Sequence, residues 1–177
     1  MRAFALLLTL LLAVPASAPA QQRPDLSRFK AFADPMVGNW SVIIQDREAD
    51  GKVAWEGTQD RTFAYTLLGE FLEERALNRG QLIGLHLLSF DPKRNMVLQQ
   101  GYWPGSPGIL FTVEAALSAD NRSASGHIDM PAEHGPRKRR RLEVRWEGAD
   151  QFAYRAYGVD AAGREYVNEE LIYRRAK

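Results

Sequence analysis

From Asn39 to Arg175, ten segments of alternating apolar and polar residues follow one another, joined by links of only two to seven residues. A period of two is a strand signal, and links this short permit antiparallel neighbours but no helical crossover. The segments are Asn39–Gln45, Lys52–Thr66, Glu70–Asn78, Gln81–Phe90, Met96–Trp103, Ile109–Leu117, Ser123–Met130, Lys138–Glu147, Gln151–Gly158 and Glu165–Arg175. Turn chemistry fills the links: Asp50-Gly51, Arg79-Gly80, Asp91-Pro92-Lys93-Arg94-Asn95 and Pro104-Gly105-Ser106-Pro107-Gly108. Sequential strands with tight turns favour up-and-down order over Greek-key crossovers, and pairing the last strand with the first removes exposed edges. The pattern predicts an all-β domain, a single up-and-down antiparallel barrel of about ten strands, with an interior able to hold something.

Two segments precede the strands. Arg2, the apolar run Ala3–Val14 and the small residues Pro15-Ala16-Ser17-Ala18-Pro19-Ala20 form the three parts of an export signal. The run falls short of the roughly 20 apolar residues a membrane-spanning helix needs, and nothing later qualifies as a span. Cleavage is expected after Ala20, since cleavage after Ala18 would put Pro19 first. Between Pro24 and Met36, Leu26, Phe29, Phe32 and Ala33 fall on one helical face, and Pro35 ends the run. The expected division is residues 1–20 as signal peptide, 21–36 as a short N-terminal helix that plugs a barrel end, and 37–177 as the barrel. Such a protein would be periplasmic or secreted.

Composition narrows the chemistry. The chain has no cysteine, which excludes disulfides, thiol catalysis, cysteine-ligated metals and cysteine acylation. Loss of Arg2 with the signal leaves 22 of the 23 basic residues against 22 acidic ones. A neutral mature chain argues against nucleic acid or an anionic membrane as the main partner. There is no nucleophile elbow, phosphate loop, dinucleotide fingerprint or His-Glu-x-x-His, so no reaction is implied.

Alternation assigns many side chains to a face. Ile109, Phe111, Val113, Ala115 and Leu117 point inward, as do Leu142, Val144 and Trp146. Val167, Leu171 and Tyr173 share a face with Glu169 and Arg175. Trp55, Gly57, Phe63 and Tyr65 are in phase with Gln59 and Arg61. Gln81–Phe90 is apolar on both faces; the preferred facing puts Leu82, Gly84, His86, Leu88 and Phe90 inward. One of Glu73 and Glu74 points in, and Arg61 and Glu169 should form buried polar pairs, since a buried charge without a partner is costly.

Gly38-Asn39-Trp40 at the start of the first strand and Tyr173-Arg174-Arg175 at the end of the last resemble the calycin superfamily, the lipocalins and fatty-acid-binding barrels. That resemblance implies an indole closing one barrel end beneath an arginine of the final strand, here Arg175 or, with a one-residue slip, Arg174. The whole mature chain also resembles a bacterial family of single-domain calycin-like barrels of unknown function. The matching residues are Met36-Val37-Gly38-Asn39-Trp40, Leu67-Leu68-Gly69-Glu70-Phe71-Leu72-Glu73-Glu74, Ser89-Phe90-Asp91-Pro92 and Glu170-Leu171-Ile172-Tyr173-Arg174-Arg175. Ser89-Phe90-Asp91 stands where that family more often has Gly-Tyr-Asp. The family offers no catalytic residues to carry over.

Of the three histidines, His127 shares a face with Asp129 at a spacing too collinear for a metal site, His134 lies in the Pro131–Arg137 link, and His86 sits on an apolar strand. Some calycin-like barrels bind haem through one inward histidine, so the resemblance makes haem on His86 the one cofactor alternative to none. The basic run Arg137-Lys138-Arg139-Arg140-Arg141 is either a solvated hairpin end or places Arg140, in phase with Leu142, at the barrel mouth facing a ligand carboxylate. The leading expectation is a binding module for a small apolar or amphipathic molecule, with Trp55, Phe63, Tyr65, His86, Phe111, Arg140, Trp146 and Tyr173 as ligand-binding residues. Behind it stand an envelope interaction scaffold, with a filled core and an outward apolar patch at Ile83, Leu85 and Leu87, and an enzyme using His86 with Glu73, Glu74 or Glu169.

Overall fold

The computed structural model describes residues 24–103, 110–130 and 138–177. The signal segment, the 104–108 link, Ile109 with its expected inward facing, His134 and Arg137 lie outside the described residues. The order of elements is helix α1 (Ser27–Ala33), a 3-10 turn (Asp34–Met36), then strands β1 (Gly38–Arg47), β2 (Val53–Thr66), β3 (Phe71–Asn78), β4 (Gln81–Asp91), β5 (Met96–Tyr102), β6 (Leu110–Leu117), β7 (Ser123–Met130), β8 (Lys138–Trp146), β9 (Gln151–Val159) and β10 (Glu165–Arg175). Every strand pairs antiparallel with its sequence neighbours, and β1 pairs with β10, closing a ten-stranded up-and-down barrel. Local chemistry sets the turns: Arg79 (φ 50°) and Gly80 (φ 78°) both take the left-handed region that a two-residue hairpin turn demands.

Closure is held by the residues that the ends of the first and last strands supply. Trp40 is opposite Arg175 in the β1–β10 register, and the guanidinium lies 4.5 Å from the indole centroid. Arg175 also donates to the carbonyls of Val37 and Pro35 and pairs with Asp150. Stacking and carbonyl bonding together fix both partners.

The helix plugs the end beneath. Phe29, Phe32, Ala33 and Met36 are buried, while the indole N–H groups of Trp40 and Trp146 donate to the carbonyls of Met36 (2.6 Å) and Phe32 (3.1 Å). The Phe32 carbonyl belongs to the last turn of the seven-residue helix, where carbonyls lack intrahelical partners, and the Met36 carbonyl to the 3-10 turn that follows it. Arg28 latches the other flank, donating to Asn95, Asn121 and the Ser118 carbonyl. Above the plug, Trp40, Trp146, Phe63, Phe152 and Tyr173 pack ring against ring, with Phe152 stacked on Tyr173 at 4.2 Å.

Three register shifts lie toward the opposite end, at Asp46/Arg47, at Ala76/Leu77 and at Val167/Glu169. Each inserts a residue into one strand and reverses facing beyond it, and two facings expected from alternation are corrected on this account. Leu82 pairs with Leu77 beyond the second shift and is turned out, 47% exposed. Val167 pairs with Tyr157, an outward residue under Arg141, so it too faces out.

Candidate functional site

The middle of the barrel holds a chain of buried polar side chains. Arg61 (β2), Glu74 (β3) and His86 (β4) are 1%, 3% and 4% exposed. Adjacent strands bring them together: Arg61 donates to Glu74 Oε1 at 2.9 Å, and His86 Nδ1 meets Glu74 Oε2 at 2.7 Å. Tyr173 (β10) donates to Oε1 from across the barrel at 3.0 Å, and Gln99 (β5) reaches Oε2 at 3.4 Å. Gln59 accepts a further bond from Arg61. One carboxylate thus collects four donors from four strands. Burial pushes the Glu74 carboxyl up, but the fields of His86 and Arg61 and the bonds from His86 and Tyr173 more than reverse this, to about 2. Burial and the neighbouring Glu74 carboxylate raise the Tyr173 phenol well above its usual range.

An ionised Glu74 requires His86 Nδ1 to be the donor. In the neutral ring the proton then sits on Nδ1, and Nε2 presents a lone pair. That Nε2 is buried and has no hydrogen-bond partner; Arg61 Nε is in the same condition. Both residues line a cavity of about 60 Å³, along with Gln99, Trp103, Phe111, Tyr154, Glu169 and Leu171. Glycine makes the room. A Cβ on Gly101 would collide with the Phe111 ring and stand 2.8 Å from His86 Cδ2, so the ring folds over the glycine and against the imidazole, 5.0 Å between centroids. A second space of about 40 Å³ adjoins on the helix side, sharing Glu74, Gln99, Tyr154 and Tyr173; its other walls include Phe32, Met36, Leu88, Val113 and Phe152.

Glu169 borders the far side of the larger cavity. Burial raises its carboxyl, the fields of Arg140 and Arg61 oppose the rise, and that of Asp46 adds to it. Arg140 donates to Asn168 at 2.6 Å and touches Met130 sulfur at 3.1 Å, leaving its buried Nε without a partner.

Phe63, His86, Phe111 and Tyr173 therefore line the interior spaces, and Arg140 sits beside the larger one. The other three expected ligand-binding residues lie elsewhere. Trp55 is in phase with Gly57 but at the strand's outer reach, folded back over that glycine and 53% exposed. Tyr65 donates to Asp34 (2.6 Å) and Trp146 to Phe32, so both hold the plug. Of the two candidate acids it is Glu74 that faces in, and Arg61 pairs with it by direct contact, whereas Glu169 meets Arg61 only through its field. Gln99, Tyr154 and Trp103 also line the cavity and were not singled out from sequence, although Val97-x-Gln99-x-Gly101 and Phe152-x-Tyr154-x-Ala156 carry the inward phase.

For haem, the donor is suitable, but among the described residues the space beside it is not. A neutral imidazole with Nδ1 held by a carboxylate has the form of an axial ligand. Yet the cavity beside Nε2 is about 60 Å³, far below the roughly 300–1,000 Å³ of pockets for drug-sized ligands. No cluster of three or more His, Asp or Glu residues suited to a metal occurs among the described residues.

Fold and site together define a closed ten-stranded barrel with a helical plug and a polar core network. No protein-family profile matches the sequence, and no curated protein matches it. Among solved structures, the crystal structure of Rv2717c from M. tuberculosis is similar, with a TM-score of 0.55 at 15% identity over 88% of this chain and 99% of that one. A redesigned β-barrel also matches, with a TM-score of 0.37 at 12% identity, over 83% of this chain and 96% of the other. The first likeness shows the barrel fold. No helix among the described residues is long and apolar enough to cross a membrane.

Proposed function

We propose that this chain is an exported binding module that holds a small apolar or amphipathic molecule inside the barrel, beside His86. One observation carries the reading: His86 Nε2 and Arg61 Nε are both buried, both lack a partner, and both belong to residues lining one cavity. Buried polar atoms are almost always satisfied, and leaving one bare costs about 1–3 kcal/mol. A polar occupant of the cavity, whether water or the head group of a ligand, recovers that cost. The signal-like residues 1–20 support export, and the calycin-like resemblance of Trp40 and Arg175 supports a binding role.

The test is native mass spectrometry of protein purified from its own compartment. A bound mass that survives desalting and is lost in His86→Phe is expected; a bare chain in repeated native preparations would count against the proposal.

The 2.7 Å contact between His86 and Glu74 also favours a second reading, in which His86 acts as a general base oriented by Glu74. Consumption of the captured molecule on incubation separates it from simple binding. The scaffold reading draws less support, because Ile83, Leu85 and Leu87 are each half-buried and the interior is not filled.

A further inference from the structure

We infer that the ligand of this interior site is a short neutral amphiphile, bound with a hydrogen-bonding head between His86 and Arg61 and a small apolar tail directed toward helix α1; this rests on the binding reading above. The two adjoining spaces differ in chemistry. The larger is bordered by Arg61, His86, Gln99 and Glu169, whereas the smaller, on the helix side, is walled mainly by Phe32, Met36, Leu88, Val113 and Phe152. Head and tail orientation follows from that asymmetry.

The head must do two things at once. Arg61 Nε carries an N–H without an acceptor, and His86 Nε2, in the neutral tautomer that donates from Nδ1, carries a lone pair without a donor. Both residues are anchored to opposite oxygens of Glu74, so their free nitrogens belong to one polar cluster. A carboxamide, with a carbonyl to accept and an N–H to donate, satisfies the pair, as does a hydroxyl. An ion does not suit the site. Arg61 is matched by Glu74 and Arg140 lies in the field of Glu169, while Asp46 is exposed to solvent, which screens its charge. A further charge would enter a buried space with nothing left to neutralise it. Size limits the tail: spaces of about 60 and 40 Å³ are together smaller than an engineered apolar cavity of about 150 Å³ that accepts benzene.

Propionamide, propionate and propylammonium separate these features on the intact mature protein. In a protein-observed NMR titration, propionamide is expected to bind at least ten-fold more tightly than either ion. It should shift the His86 ring signals and show contacts from its methyl group to the Val113 and Leu88 methyls. Val113→Phe fills the apolar space, and should weaken propionamide at least five-fold while changing acetamide less than two-fold. An ion that binds as well as the amide, or a methyl group in contact with Trp103 instead of Val113, overturns this inference and leaves the binding reading standing. Failure of every probe to perturb the interior overturns both. The comparison of probes needs only the unmodified chain, so it holds even where a variant fails to fold.

Discussion

Glu74→Gln tests the core network most directly, because the amide keeps the shape of the carboxylate and removes only its charge. The carboxylate is 3% exposed and accepts from Arg61, His86 and Tyr173 at 2.9, 2.7 and 3.0 Å. A glutamine can still accept from Arg61 and Tyr173 through its oxygen. Its nitrogen, however, donates where carboxylate Oε2 accepted, so a neutral His86 has to move its proton from Nδ1 to Nε2. The geometry survives by a tautomer change, and the loss that remains is a guanidinium 1% exposed with no counter-charge. Breaking a buried ion pair in this way costs about 3–5 kcal/mol, a large share of the roughly 5–15 kcal/mol that holds a domain folded. Urea unfolding reads the cost as a lower midpoint at unchanged slope, and long-range 15N correlations of the His86 ring read the tautomer. Replacing both partners, as Arg61→Met with Glu74→Leu, should recover most of the loss, since an apolar pair needs no solvation. A single variant within about 1 kcal/mol of the parent, where exposed ion pairs ordinarily fall, would show that the pair does not hold the core. An Nδ1 proton retained in the variant would refute the tautomer argument.

Three further outcomes are expected. Trp40→Ala should cost about 3–5 kcal/mol, the range for a buried aromatic truncated in a core, and Arg175→Ala about 1–2 kcal/mol through lost stacking and bare carbonyls; equal losses by chemical denaturation would contradict the assigned roles. Because the folded pKa of Glu74 lies below its ordinary value, at about 2 against 4.5, its contribution is complete above pH 4.5 and is lost as pH falls toward 2. Urea midpoints followed across that window should fall more steeply for the parent than for Glu74→Gln, and parallel curves would contradict the assignment. Gly101→Ala must displace Phe111 and press on His86, at about 1–3 kcal/mol for an overpacked core; unchanged stability and His86 ring shifts would show that the slot is not needed.

Strand positions were legible almost to the residue because alternation and turn chemistry act locally. Lys52–Thr66 was expected where Val53–Thr66 forms, and Ser123–Met130 coincides. Facing was legible only as far as the register stayed regular. Leu82 and Val167 violate the alternation because a bulge is a relation between two strands, and neither strand's sequence marks the extra residue. The site was half visible for the same reason. His86 stands out as a polar residue on an apolar strand, but the choice between Glu73 and Glu74 depends on Arg61 and Tyr173, which only the paired sheet brings near. Trp55 shows the opposite failure: its phase is inward, yet its place on the strand lies past the cavity.

The closing contact between Trp40 and Arg175 joins residues near opposite ends of the domain, and this bears on how the chain reaches its native state. Each hairpin can form as soon as its own turn is made, but the seam cannot exist until β10 is available. Until then β1 and β10 present unpaired edges, and Phe29 and Phe32 have no closed barrel to plug. A topology dominated by such long-range pairing folds in milliseconds to seconds rather than microseconds. The open sheet is accordingly the species most prone to aggregate, and a substitution that loosens the seam should lower the yield of soluble protein before it alters anything the finished barrel does.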